Sequence, residues 1–420
     1  MAKGTTDEQV GQRQSALEEV LCQGARQLIG KAVEAELAEL LGKYSNVRLL
    51  DGRRAVVRNG YLPERQVLTG AGPVPVRIPK VRDRSGGQIK FNSRLVPPYV
   101  RRSQRVAAAL PWLYLKGIST GDMKEALTVL LGDDAKGLTP GVISRLKAQW
   151  AREHERFGQR DLSAKRYVYW WADGVHTSLR GDSIDHQCLL VIIGVLPDGS
   201  KELVALMDGI RESTQSWREL LLDLKARGLK AGPLLATGDG AMGLWAALDE
   251  VYPRARQQRC WVHKMANVLN ALPKALQAKA KSELQQIWMA PTREDAGKAF
   301  DRFVGKYQAK YPKAVAKLTG DREQLLAFYD FPAEHWVHLR TSNPIESTFA
   351  TVRHRSTRTK GCVSRASFLG LAFKLVKEAE RAWRRINAPE RITELLAGAV
   401  FTDGEPAKQE EQKQQQALVA

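Results

Sequence analysis

Three apolar runs lie close together in residues 166–207, and their short connections leave little choice of topology. Arg166-Tyr167-Val168-Tyr169-Trp170-Trp171-Ala172 ends in Asp173. His186 to Leu196 (HQCLLVIIGVL) has the composition of a fully buried strand, and Lys201 to Met207 (KELVALM) follows the turn Pro197-Asp198-Gly199. Parallel neighbours need a long crossover, so closely joined runs predict an antiparallel meander. A helix is expected next, Thr214 to Gly228, with Trp217, Leu220, Leu221 and Leu224 on one face. Pro233 to Thr237 reads as a fourth strand leading into Gly238-Asp239-Gly240. Met242 to Val251 reads as a helix and Arg256 to Cys260 as a fifth strand.

This succession is the order of an α/β RNase H-like catalytic core, a pattern that sets an expectation about fold and no more. In that topology the first and fourth strands lie side by side. Asp173 and Asp239, 66 residues apart (239 − 173), then converge at one sheet edge. Two like charges so placed repel, and a shared Mg²⁺ removes the penalty. Residues 262–335 are rich in Ala, Lys, Gln and Leu and read as an all-helical insertion. Beyond it comes Thr341-Ser342-Asn343-Pro344-Ile345-Glu346-Ser347, where Pro344 suits the first turn of a helix and Glu346 sits one turn in. Two Asp and a Glu offer the hard oxygen ligands that Mg²⁺ prefers. Two such ions about 3.5–4 Å apart would activate an attacking oxygen and stabilise a leaving one. Each carboxylate has a plainer alternative: Asp173 and Asp239 as strand-end turn residues, Glu346 as a helix N-terminal charge. The functional case rests on the set. Asp182, Asp185, Asp198, Asp208 and Asp249 fall in turns or on helix surfaces and are set aside.

The rest of the chain points to a polyanion. Formal net charge is +19, with 26% charged residues and dense basic spots at Arg101-Arg102, Arg353 to Lys360 and Arg381 to Arg385. A folded, basic, aromatic-containing chain fits nucleic acid. Residues 7–43 carry an apolar stripe at helical period and are expected as a dimerisation or docking helix pair. Short runs at Gln66–Thr69 and Val74–Ile78 suggest a small basic β-rich module, with Asn59-Gly60 as a turn signal. Next comes a helix-turn-helix-like stretch. One helix opens at Gly117-Ile118-Ser119-Thr120-Gly121-Asp122 and runs to about Leu131; a second follows Thr139-Pro140, with Ser144, Arg145, Lys147 and Gln149 available to a DNA groove. An ordinary helical hairpin is the alternative. Four scattered cysteines, Cys22, Cys188, Cys260 and Cys362, do not make a disulfide framework. No apolar run is long enough for a transmembrane helix and no signal-peptide core is visible, so a cytoplasmic protein, on the nucleoid when bound to DNA, is expected.

Several segments in order resemble the Mutator-type bacterial insertion-sequence transposases. They are Arg58-Asn59-Gly60-Tyr61, Gly117 to Thr120, Tyr167 to Asp173, Glu212-Ser213 through Trp217 into Asp223 to Gly228, Asp239-Gly240, Gln258 to His263 and Thr341 to Ser347. The similarity spans roughly residues 15–385. It implies a DDE triad of Asp173, Asp239 and Glu346 that holds two Mg²⁺, with Mn²⁺ substituting, on an RNase H-like core. It implies N-terminal modules that bind double-stranded DNA at terminal inverted repeats, and a homodimer to handle two ends. The family's Cys-x-x-His element maps onto Cys260 and His263, with His263 as a catalytic hydrogen-bond donor to phosphate. Its basic stretch maps onto Arg353, His354, Arg355 and Lys360; with Arg358 these are expected phosphate contacts, and Arg145 and Lys147 are the expected groove readers. Ser342 stands where threonine is common, and Pro344 where alanine is common. The other reading is a catalytically silent DNA-binding regulator. A zinc site from Cys260, His263, His335 and His338 is a lesser alternative, since zinc sites favour more sulfur and tighter spacing. Trp288 and Trp336 are the tryptophans expected to stack on bases; Trp170, Trp171 and Trp261 read as core.

The expected organisation is a helical segment over 1–45, a β-rich module over 46–100 and a helix-turn-helix-like region over 101–160. The core follows over 161–263, the helical insertion over 264–336, the end of the core with Glu346 and a basic helix over 337–390, and a flexible tail over 391–420.

Overall fold

The computed structural model describes residues 7–118, 122–131, 140–177, 187–210, 212–240, 242–358 and 365–407. Two units divide the chain, residues 1–146 and 147–420. In the first, α1 (Asp7–Lys43) is one continuous helix rather than a pair. Val33 and Leu37 are buried against Val67, Val74, Val76, Ile78, Phe91 and Val96, so the C-terminal half of the apolar stripe docks on the β-rich module. Leu17, Val20, Leu21 and Leu28 stay exposed. The module pairs β1 (Val56–Tyr61) with β4 (Pro79–Asp83), and β2 (Arg65–Thr69) with β3 (Gly72–Val76), both antiparallel. Asn59-Gly60 is not a hairpin turn. It lies inside β1, where the pairing slips between Arg58 and Tyr61 and Gly60 has φ +70°. A left-handed glycine serves a β-bulge as well as a turn.

Ser103 caps α2 (Gln104–Leu115), accepting from the Val106 amide at 3.4 Å. Gly117, read as a helix start, has φ +119° just past the end of α2 and marks the close of that helix. α3 (Met123–Leu131) and α4 (Pro140–Gly158) follow, and Pro140 does open its helix.

The second unit is built on a five-stranded mixed sheet. β5 (Tyr169–Thr177), β6 (Gln187–Val195) and β7 (Lys201–Ile210) form the expected antiparallel meander. β8 (Leu235–Gly238) then pairs with β5 in parallel, and β9 (Arg256–Arg259) pairs with β8 in parallel, giving the order β7-β6-β5-β8-β9. Residues 188–195 of β6 are all buried, as a central strand covered on both faces must be. Between β7 and β8 runs α5 (Thr214–Ala226), between β8 and β9 α6 (Met242–Val251). Trp217, Leu220, Leu221 and Leu224 of α5 and Leu244, Ala247 and Leu248 of α6 pack on Trp170, Ala172, Leu190 and Ile192 of one sheet face.

Strand residues alternate between faces, so Tyr169 and Trp171 point the other way. The Tyr169 hydroxyl meets Nδ1 of His335 at 2.9 Å, and Trp171 Nε1 donates to the His338 carbonyl at 3.0 Å. The helices that follow β9 are α7 (Trp261–Leu269), α8 (Lys274–Trp288), α9 (Arg293–Tyr307), α10 (Pro312–Thr319), α11 (Arg322–Leu326), α12 (Trp336–Leu339), α13 (Asn343–Arg358) and α14 (Arg365–Glu380); of these, α11 packs on β9, α13 on β5 and α14 on β7. Trp170, Trp171 and Trp261 are core, as read. Trp336 is not a free stacking platform: its ring packs edge-on against Phe328 and Tyr329, and its Nε1 donates to the Phe331 carbonyl. Trp288 is half-buried against Trp261, with ring centres 4.8 Å apart.

The segment expected as a flexible tail from 391 is ordered through residue 407. It forms α15 (Glu390–Leu396) and the hairpin β10 (Phe401–Thr402) with β11 (Glu405–Pro406). Ile392 and Phe401 are buried, and Gly404 exchanges backbone hydrogen bonds with Tyr329 and Ala333. A Gln/Glu/Lys-rich composition hid these few anchoring apolar residues. Residues 408–420 lie outside the described ones.

Two predictions follow from this packing. A methyl on Gly370 of α14 would stand 2.7 Å from the Ala151 amide nitrogen and 3.0 Å from the Trp150 carbonyl carbon, so the two helices meet backbone to backbone. Gly370→Ala should cost about 1–3 kcal/mol of stability in denaturant unfolding, the usual price of overpacking. His335 is fully buried, and burial holds its imidazole below the ordinary 6.5. As pH falls the unfolded chain takes the proton first, so stability is full above about 6.5 and declines as pH drops toward the folded-state value. Melting temperatures taken downward from about pH 7.5 should fall, and less steeply for His335→Gln.

Candidate active site

The site begins with one register. In the parallel pair, Ala172 lies opposite Gly238, so Asp173 and Asp239 stand at the same level; Asp239 follows the end of β8, whereas Asp173, expected at a strand end, lies inside β5 and pairs with Val191 of β6. Asp239 needs the glycine after it: Gly240 has φ +88°, and the Arg259 guanidinium occupies the place its side chain would take. Asp173 accepts from the Gly174 amide at 2.9 Å. Burial, then the charge of Asp239 and more weakly that of Glu346, push Asp173 up to about 7, against the pull of His263.

Glu346 arrives from the other side of the sequence on α13, which packs on β5. The Ser342 carbonyl accepts from the Ile345 and Glu346 amides at 3.0 and 3.1 Å and so starts the helix. The fully buried Ser342 hydroxyl donates to Glu346 Oε1 at 2.7 Å and lies 3.2 Å from Cys260 Sγ and 3.4 Å from His263 Nδ1. A hydroxyl has one proton, and the shortest contact, to the carboxylate, takes it. His263 Nδ1 is 3.7 Å from Glu346 Oε1. The hydrogen bond with Cys260 raises the His263 pKa to about 9, with added support from the charges of Glu346 and Asp173 and against its burial. It is therefore an imidazolium at neutral pH. Burial opposes the Cys260 thiolate, but hydrogen bonds from His263 and Ser342 outweigh that and draw the thiol below its usual range.

A fourth carboxylate stands at the same edge. Glu212, between β7 and α5, is pushed up to about 8 by burial and by the charges of Asp239 and Asp173. Sequence reasoning took up Glu212-Ser213 only as a matching segment. The signal available was its position, two residues past the end of β7 and just before the Ser213 cap of α5.

Among the described residues, Cys260, His263 and Glu346 form the set of potential ligands whose donor atoms all lie within 4.8 Å of one another. Asp173 is coupled to that set through charge, but both Asp stand outside its tighter radius. His335 and His338 do not join it. The Ala388 carbonyl, which can only accept, receives a hydrogen bond from His335 Nε2, and His338 Nε2 accepts from the Asn387 amide. The four-ligand zinc alternative is therefore not assembled.

Residues 2–386 match the family model "Transposase, Mutator family". The chain belongs to the Mutator family of transposases. It is 61% identical over 292 residues, 68% of this chain and 96% of the other, to the transposase for insertion sequence element IST2 of Acidithiobacillus ferrooxidans. It is 52% identical over 299 residues, 71% of this chain and 92% of the other, to that for IS6120 of Mycolicibacterium smegmatis. It is 29% identical over 404 residues, 94% of this chain and 95% of the other, to the transposase for insertion sequence element IS1081 of Mycobacterium tuberculosis.

In this transposase the carboxylates set aside earlier have local work. Asp198 accepts from Ser200, Asp249 from Gln257, and Asp208 pairs with Arg365; Asp182 and Asp185 lie outside the described residues. On α4, Arg145 is exposed and Lys147 half-buried. Arg353, Arg355 and Arg358 belong to α13 beyond Glu346, while their side chains, that of His354, and the whole of Lys360 lie outside the described residues. No helix among the described residues is long and apolar enough to cross a membrane.

Ser342 joins Glu346, His263 and Cys260 through one hydroxyl. Ser342→Ala should lower transposition of a marked element by about tenfold, a loss of about 1.4 kcal/mol at the barrier. Ser342→Thr, which keeps the hydroxyl, should stay near wild type. Equal frequencies for wild type and the alanine variant would show that the hydroxyl does not orient Glu346.

Proposed function

We propose that the chain binds the terminal inverted repeats of its element and cuts and joins DNA phosphodiester bonds through Asp173, Asp239 and Glu346. The observation that carries this reading is the parallel β5–β8 register, which brings two half-buried aspartates to the same level on adjacent strands. A meander followed by two parallel strands supports an RNase H-like core.

The donor set fits two divalent ions. Asp173 sits buried among like charges that burial and repulsion disfavour, and its neighbours supply hard oxygen atoms suited to Mg²⁺ or Mn²⁺. When bound, such ions supply Lewis acidity to the attacking and leaving oxygens. The protein's own part is geometric and electrostatic. Asp173 and Asp239 are held by backbone, so their spacing is set by the sheet. Glu346 reaches in on a longer arm that Ser342 restrains. The His263 imidazolium is a donor for a phosphate oxygen as negative charge gathers there. Arg145, Lys147, Arg353, Arg355, Arg358 and Lys360 are the side chains assigned to DNA, and a net charge of +19 favours phosphate throughout. Two element ends must be handled together, which calls for a homodimer.

The test is the purified protein on supercoiled plasmid carrying the element's ends, with and without Mg²⁺, beside Glu346→Ala. Nicking or joining at the ends should need the metal. It should fall in the variant by more than about a hundredfold, the most that losing an outer-shell partner usually costs, while end binding persists. Tight end binding with no metal-dependent cleavage by wild type would instead indicate a DNA-binding regulator. Cleavage that survives Glu346→Ala would remove Glu346 from the triad.

A further inference from the structure

Several basic side chains of the N-terminal unit are matched to acids. Arg58 of β1 donates twice to the Glu34 carboxylate of α1, at 2.7 and 3.0 Å. Arg94 reaches Glu39 at 2.7 Å, and Arg53 lies 3.6 Å from Asp51. β4 is built differently. Its side chains alternate between two sides. Val81 packs on the apolar core that the module shares with α1. Asp83 points to the same side as Val81 and is used up locally, accepting from the Ser85 amide and hydroxyl at 2.8 and 2.6 Å and from the Ile89 amide at 3.2 Å. Lys80, Arg82 and Arg84 point the other way, and all three are exposed. The Arg84 amide donates to the Ala55 carbonyl at 2.8 Å, so the row stays extended to its end. Among the described residues none of these three side chains takes part in an ion pair or a hydrogen bond.

β1 and β4 form a sheet of two strands, and Val57 stands opposite Arg82. The outward face is therefore a narrow ribbon with cations at two-residue intervals, about 6.6 Å apart. Neither strand places an acid on it. Like charges in a row repel, and nothing in the fold answers them. A two-stranded ribbon is narrow enough for a DNA groove, and a straight row of exposed cations suits the line of phosphates along one strand of a duplex.

We propose that the outward face of the β1–β4 ribbon docks on duplex DNA, with Lys80, Arg82 and Arg84 each on a backbone phosphate. This rests on the reading that the chain binds DNA ends, and adds to it a contact surface made of strands. Phosphate contacts fix grip and register but carry no sequence, so the ribbon contributes equally on any duplex.

Fluorescence anisotropy of the full chain tests this, with a labelled duplex of the element's end and an unrelated duplex of equal length, over a series of KCl concentrations. The logarithm of the affinity falls linearly with that of the salt, by about 0.9 per phosphate neutralised. Lys80→Gln, Arg82→Gln and Arg84→Gln should each make the slope shallower by about 0.9, and the triple variant by about 2.7, on both duplexes alike. Arg82→Lys, which keeps the charge, should hold the wild-type slope, as should Arg53→Gln, whose cation already has Asp51 beside it. Melting temperatures should not change, because the three side chains hold nothing in the fold. A triple variant with a slope no shallower than that of Arg53→Gln overturns the proposal. So does a loss confined to the element's end, which would make the row a reader of bases, and so does a shallower slope found only in variants with lowered melting. If wild type binds neither duplex at the lowest salt, the DNA reading of the whole chain fails, a result distinct from all of these.

Discussion

The pairing of β5 with β8 is the constraint on which the site depends. A parallel ladder four residues long fixes the offset of two strands separated by a meander strand pair and a helix. A one-residue slip would turn Asp239 to the opposite face and bring Ala236 out of the core, so the buried apolar face of β8 enforces the register that the aspartates need. The hydrophobic effect acts on Ala236, Trp170 and Ala172, and the relative placement of the two aspartates follows as a consequence.

The second determinant is how the distant third carboxylate is brought back. Between β9 and α13 the chain runs through a long helical excursion, yet its end returns to the start of it. The Trp261 amide donates to the Arg340 carbonyl at 2.9 Å, and the Ser342 amide donates to Cys260 Sγ at 3.3 Å. These contacts clamp the two ends of the excursion beside each other. The helices between can then differ in length and surface without moving Glu346. Thr237, which donates from β8 to the Leu339 carbonyl, ties the same end to the strand that carries Asp239.

Electrostatics at this edge is deliberately unfavourable in the protein alone. Asp173 and Glu212 both have raised proton affinities, with burial the leading cause, and only His263 and the Gly174 amide among the neighbours named for them pull the other way. Strongly perturbed groups of this kind concentrate at functional sites. His263 takes its own charge chiefly from its partnership with Cys260, so the Cys-x-x-His element acts as a single unit at the mouth of helix α7.

The sequence by itself determined the order of the core elements, the antiparallel meander, the helical excursion, the core tryptophans Trp170, Trp171 and Trp261, the strand-end position of Asp239 and the helix-start position of Glu346. All of these follow from local periodicity, connection length and turn chemistry, which act over a few residues. Asp173, read as a strand end, lies in the middle of β5, whose polar second half the apolar run did not reveal. Gly60 as a bulge, Gly117 as a helix end, the packing of Trp336 and the ordered hairpin after residue 400 were not legible. In each case one local signal suits two structures, and contacts from far along the chain choose between them. Glu212 belongs to the same class. An acid before a helix cap looks like a surface residue until the sheet curls Gly174 over it, and that approach exists only once β5, β7 and α6 have packed together.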